Sequence, residues 1–516
     1  VTITNRVLLL GASALALTGC EADQIVSPGT SGDINVDIDN PAPAPTPTPT
    51  SGTLVTPAAG CPTINSTGGL TDRGTISGPT GEYRRCELPS LIDADDTLTY
   101  VPGLLYELPG RVDIGADQGF SSTGSTVELT IQPGVTVYGA TGRSFLVANR
   151  GNQLIANGTV DRPIVFTSRD NVLGLSTDDS TGQWGGVVLL GRAPVSDCYL
   201  GGFNTTAAPN NNPQCEQELE GTNTLTLFGG SNSADSSGSL SYVQIRYSGF
   251  SLAPGKELQS LTTGGVGSGT TFNHIMTFNS SDDGMEFFGG TVRMKYVAAI
   301  GADDDTVDVD TGAQADMQYV LGVQRSAGGD NLIELDSPDG DYSTAAIPQT
   351  RLRVSDFTFI QRSSSSSQVV RARGGAKLVL ANGVLDTDDK TCIRIDETVT
   401  INADPDFLSL VGDCNAGQPF RGTSGATDAQ VKAQFDADST ANVANFTLTL
   451  AAFINGSNEN GVAVFDASTL SNWFDATANI GAVTSASDTW YRNWTCNSSI
   501  ADFGSSNGFC TRLPVY

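Results

Sequence analysis

Three short acidic runs recur along the middle of the chain: Asp282, Asp283 and Glu286, then Asp304, Asp305 and Asp308, then Asp330 and Glu334. Each follows an apolar segment, and those segments begin at Ile275, Val297 and Val320, 22 and 23 residues apart. Carboxylates gathered in this way have two chemical uses. They bind a hard cation such as Ca²⁺, which takes about six to eight oxygen ligands, or they work in pairs as acid and base on a glycosidic bond. The candidate metal ligands are Asp282, Asp283, Glu286, Asp304, Asp305, Asp308, Asp310 and Glu334. If Met285, Val307 and Ile333 face a core, alternation along a strand puts Glu286, Asp308 and Glu334 on one outward face. Two residues later that face carries Phe288, Asp310 and Asp336, and the next coils bring Arg371 with Arg373, then Arg394 with Asp396. Stacked coils lie about 4.8 Å apart, so like charges on one column repel and something must neutralise them. Calcium is one answer. The other is a solvated face offset by the arginines of the following coils.

The elements that hold these residues are short. Helical repeats need about ten or more residues per helix, whereas the repeated segments run four to six residues without a helical period. A fourth apolar segment, 357–360, follows after the polar loop 337–349, and residues 129–137 and 145–167 show the same short strands broken by Gly, Asn and Asp. Short strands at this period predict an all-β chain wound as a parallel β-helix, each coil stacking on the last around one apolar column. Sandwiches and propellers would instead show hairpin alternation or a period near 40. Composition agrees. The 516 residues include 59 Gly and only 16% charged side chains, and 56 acidic against 27 basic residues give a net charge of −29. That acid excess repels phosphate backbones and excludes a nucleic-acid partner.

Residues 1–6 form a weakly basic start and 7–17 an apolar run too short to span a bilayer, as in a secretory signal. Leu17-Thr18-Gly19-Cys20 resembles the lipobox of bacterial lipoproteins, which implies removal of residues 1–19 and acylation of Cys20. Residues 20–60 read as a tether, with Pro at alternate positions from 41 to 49 favouring an extended, semi-rigid spacer. Of nine cysteines, eight remain and fall as sequence neighbours: Cys61 and Cys86, Cys198 and Cys215, Cys392 and Cys414, Cys496 and Cys510. With no Cys-x-x-Cys and the single histidine His274, four local disulfides fit better than zinc, although eight cysteines allow about 105 pairings.

Residues 129–139, 164–168, 184–191, 281–290, 301–305 and 480–483 together resemble right-handed, pectin-lyase-like β-helix lipoproteins and secreted proteins of bacteria. The resemblance spans roughly residues 98–494. It implies a lipid-anchored protein of the outer membrane, on its cell-surface or periplasmic side, and association with an outer-membrane uptake receptor. Asp282-Asp283-Gly284 and Arg293-Met294-Lys295 are similar to fragments of the polygalacturonase pattern, but the Gly-His-Gly element of that pattern is missing. A Ca²⁺-dependent lyase or hydrolase is therefore the alternative. It would cast Arg293 or Lys295 as base beside Asp304, or Asp282, Asp283 and Asp305 as paired carboxylates. The principal expectation is a non-catalytic binding surface for an extracellular ligand, a glycan or a partner protein, with His274 packed as a structural side chain.

The β-helix is expected over residues 61–424, including an N-terminal disulfide loop, and a small mixed cap over 425–516. In that cap, residues 426–438 and 466–477 read as short helices. The cap would cover the open end of the solenoid, as terminal repeats must be covered.

Overall fold

The computed structural model describes residues 54–516 except 122–123, 203–213, 220–221, 223, 254–255, 338–347 and 440. The expected signal segment, Cys20 and the tether up to residue 53 lie outside the described residues. No helix among the described residues is long and apolar enough to cross a membrane.

The body is a parallel β-helix. Two long sheets run side by side, and successive coils contribute one strand to each. In the central coils the first sheet takes Thr271–Phe278, Thr291–Ile300, Gln314–Val323, Arg351–Ile360 and Lys377–Asp386. The second takes Met285–Phe288, Val307–Asp310, Ile333–Leu335, Gln368–Ala372 and Thr391–Asp396. Pairing is parallel and in register, with Ile275 beside Val297, Val297 beside Val320 and Val320 beside Phe357. The repeat read from the apolar segments is therefore the coil itself. Alternate residues of both sheets, among them Met285, Val307, Ile333, Val297 and Val320, point into one continuous fully buried column. At the N-terminal edge Thr71–Gly78 and Gly81–Glu87 pair antiparallel, which turns the first coil into a hairpin rather than an open edge.

Within each long strand of the first sheet one residue sits in the left-handed region, where most side chains are strained. These residues also form a column: Tyr242, His274, Tyr296, Tyr319, Asp356, Asn382 and Ser409, with φ between 49° and 62°. The bend they make swings the strand around the corner of the coil. His274 is thus structural but not a core residue. It lies half-buried between Tyr242 and Tyr296, with ring centroids 4.2 and 4.5 Å away, and burial pushes its imidazole down to about 4.

The C-terminal region corrects the expectation of a cap. Only its first element covers the end of the solenoid: helix Asp428–Asp438, with a Thr427 capping box, buries Val431 and Phe435 against Phe407 and Phe420 of the last coil. From there the chain runs back along the outside of the first sheet. Phe465 N–H donates to Asn382, Ala482 N–H to Thr358, and Gln244 and Arg246 bind the carbonyls of Trp494 and Cys510. Leu513 finally packs on Tyr83 and Tyr138 of the first coils. The reason is the row of apolar and polar side chains that the first sheet points outward, Met276, Ala298, Leu321 and Gln318 among them, which this segment buries. The helix expected over 466–477 is a single 3₁₀ turn, Ala467–Thr469, because its aromatic pair is used sideways, with Phe474 under Arg353 and Trp473 under Lys295.

All four neighbouring cysteine pairs are joined: Cys61–Cys86, Cys198–Cys215, Cys392–Cys414 and Cys496–Cys510. Each closes a local loop of 14 to 25 residues.

Candidate functional site

The acidic runs occupy the corner where the chain leaves the first sheet and enters the second. Gly284 lies between Asp283 and Met285 at that corner, and a Cβ there would sit 2.6 Å from the Thr306 carbonyl of the next coil. The corner is consequently tight enough to stack carboxylate on carboxylate. Asp283 accepts the Asp305 backbone N–H at 2.8 Å, and Asp305 accepts that of Asn331 at 2.5 Å. One oxygen of each buried acid is spent on holding the next coil.

Three groups of carboxylates arise, each with ligand atoms within 4.8 Å of one another: Asp282, Asp283 and Asp304; Asp283, Glu286 and Asp308; Asp304, Asp305 and Asp330. Asp283 and Asp304 each belong to two of them. The register read from the sequence is observed, with Glu286 beside Asp308, Asp308 beside Glu334 and Glu334 beside Arg371. The column is not a solvated face, however: Glu286 is 9% exposed and Glu334 7%. An excursion carrying the Cys198–Cys215 bridge packs Val195, Leu219 and Phe228 with Phe288 on the outer face of the second sheet.

Arginines of the following coil compensate one end of the column. Glu334 is bound by both Arg371 and Arg373, at 3.3 and 2.9 Å, and Arg373 also reaches Asp336 at 3.1 Å. Glu334, expected among the metal ligands, is thus already neutralised by two guanidinium groups and joins none of the three carboxylate groups. The carboxylate of Asp310, expected there as well, accepts the Thr311 backbone N–H and likewise joins none of them. For Asp282, Asp283, Asp304, Asp305 and Asp308 no lysine or arginine among the described residues lies within ion-pair distance. Asp330 is the ligand candidate that the sequence reading omitted. It stands one coil above Asp304, donating its N–H to the Asp304 carbonyl, and its position as first acid of the third run was the available signal.

Electrostatics follow from this packing. Burial and then repulsion from neighbouring carboxylates push Asp283, Asp305 and Asp308 well above the usual range. Asp282 rises to about 7 and Asp304 to about 6, mainly from burial, with Asp304 and Asp330 respectively adding repulsion. The most telling atom is Asp308 Oδ1, which is buried and has no hydrogen-bond partner among the described residues. An orphaned anionic oxygen beside other acids is costly unless a cation or proton meets it.

The two cations cast as a base are elsewhere. Arg293 and Lys295 lie on the outer face of the first sheet, where Arg293 faces Asp316 at 3.5 Å and Lys295 pairs with Asp475 at 2.7 Å. Neither is brought to Asp304, because they belong to the start of strand Thr291–Ile300 whereas Asp304 follows its end.

A comparison with protein families matches residues 105–495 to the pectate-lyase-like β-helix domain. The chain belongs to this family. Comparisons with curated proteins and with solved structures returned no match. In this pectate-lyase-like β-helix the matched span includes every coil that builds the acidic corner, and it continues into the returning C-terminal segment.

Proposed function

We propose that this pectate-lyase-like β-helix is a calcium-loaded, non-catalytic binding protein, displayed from the outer membrane by acyl chains on Cys20. Its long outer faces would engage an extracellular glycan or a partner protein, including an uptake receptor. The observation that carries the metal reading is Asp308 Oδ1, buried and without a hydrogen-bond partner among the described residues, in one group with the buried carboxylate of Asp283. Asp282, Asp283, Glu286, Asp304, Asp305, Asp308 and Asp330 are the oxygen donors for Ca²⁺, a hard ion suited to such a set. Bound, the ion would fix the corner of three successive coils and present a rigid surface.

The pairing of Arg293 with Asp316 and of Lys295 with Asp475 favours binding over lyase chemistry, since each cation is already engaged away from the acids. Calorimetric titration of the mature protein with Ca²⁺ tests the first half of the reading: absence of heat, together with an unchanged melting temperature at millimolar Ca²⁺, refutes it. Incubation with uronate polymers and Ca²⁺ tests the second, because unsaturated or reducing-end products would establish an enzyme. Mass spectrometry of the membrane-bound form tests the anchor, which requires an acylated Cys20 as first residue and a soluble product from Cys20→Ala.

A further inference from the structure

The returning C-terminal segment encloses a cavity of about 460 Å³ against the early coils. Its floor is Arg246, on strand Gly238–Arg246 of the first sheet, and its wall includes Arg512, Asn493, Ser506 and the ring of Phe509. We infer that this cavity binds a small organic oxyanion, a carboxylate or phosphate ester about the size of a monosaccharide.

The deciding group is the guanidinium of Arg246. Its side chain is 2% exposed, and its hydrogen bonds go only to neutral oxygens. Nε and Nη2 donate to Gln244 Oε1, and Nη1 to the carbonyls of Cys510 and Arg512 at 3.0 and 2.9 Å. No carboxylate among the described residues forms an ion pair with it; the other deeply buried arginine, Arg150, has two, Asp117 and Glu216. Burying an unpaired guanidinium costs several kcal/mol, so the partner is expected in the space that Arg246 lines. One Nη2 N–H remains for it, and planar guanidinium groups match carboxylate and phosphate oxygens.

The rest of the lining agrees. Arg512 supplies a second cation at the mouth without an ion-pair partner of its own among the described residues, and the single acidic side chain in the lining, Asp161, pairs with neither arginine. Ser506 and Asn493 offer further polar groups, while Phe509 is 61% exposed and gives the mouth an apolar face for a ring or carbon chain. The volume is within the range of small-molecule sites. This site shares no residue with the acidic corner.

The test uses the whole mature protein in EGTA, titrated calorimetrically with glucose 6-phosphate and with gluconate, and with glucose as the neutral comparison. Both anions are expected to bind with Kd of about 1 mM or tighter, and glucose is not. Arg512→Gln leaves its backbone carbonyl in place for Arg246, so it should weaken both anions at least about tenfold at unchanged melting temperature. Arg246→Gln should abolish binding. Silence from both anions, glucose binding as tightly as they do, or Arg512→Gln binding like the wild type would each overturn the inference. Since Asp282→Asn lies in the other site, anion binding should survive in it even if the calcium reading fails.

Discussion

Replacing Asp282 with Asn should stabilise the metal-free protein at pH 8 and at the same time remove its response to calcium. Asp282 is held at about 7 instead of 3.8, so the fold favours its protonated form. The contribution of this carboxyl is therefore fully present below pH 4, declines as pH rises through 7, and is lost above that. At pH 8 a carboxyl so placed costs about 4 kcal/mol, or about 2 kcal/mol once its residual contact with water is allowed for. Asn is isosteric, keeps the contact with Gln259 and carries no charge to repel Asp304. In EGTA at pH 8, denaturant unfolding should place Asp282→Asn above the wild type by about 2 to 4 kcal/mol, and at pH 4 the two should coincide. Calcium should reverse the order. A site with Kd near 10 μM adds about 2.7 kcal/mol to the wild type at 1 mM Ca²⁺, and binding should tighten with pH as protons leave the acids. The reasoning is refuted if Asp282→Asn is the less stable protein at pH 8 in EGTA, or if calcium stabilises both proteins equally.

Arg371→Gln should act in the opposite sense. It strips one of two guanidinium groups from buried Glu334 and Asp396 and should cost about 3 kcal/mol in urea unfolding while leaving the calcium titration unchanged. Trp494→Ala should cost about 3 to 5 kcal/mol, because Trp494 is fully buried against Tyr242 and His274; limited proteolysis should then release the C-terminal segment before the coils. Replacing Cys392 and Cys414 together by Ser should lower stability by about 3 kcal/mol, measured against the wild type without reductant, since that bridge closes a loop of 22 residues at the last coils.

Much of the acidic corner was legible because coil stacking converts a sequence period into a spatial column. Once Met285, Val307 and Ile333 face the core, alternation leaves Glu286, Asp308 and Glu334 no other side, and the observed register follows. Disulfide pairing was legible for a related reason: each bridge is local. What periodicity does not encode is which charges meet. Arg371 and Arg373 lie 37 residues or more beyond Glu334 in the chain, yet they neutralise it, while Asp330 is brought beside the acids of the second run by its N–H bond to Asp304.

The sequence by itself determined the winding of this protein, because apolar residues at coil spacing can be buried together in only one way. Tertiary structure alone decided what lies against the outside of the coils. The excursion with Phe228 packs on Phe288 of the face that alternation turns outward, and a C-terminal segment read as an end cap instead lies along the first sheet and shuts Arg246 beneath Cys510. Both are contacts between segments with no shared period, set by which outward faces were left apolar or uncompensated, and a linear pattern carries no record of such partners.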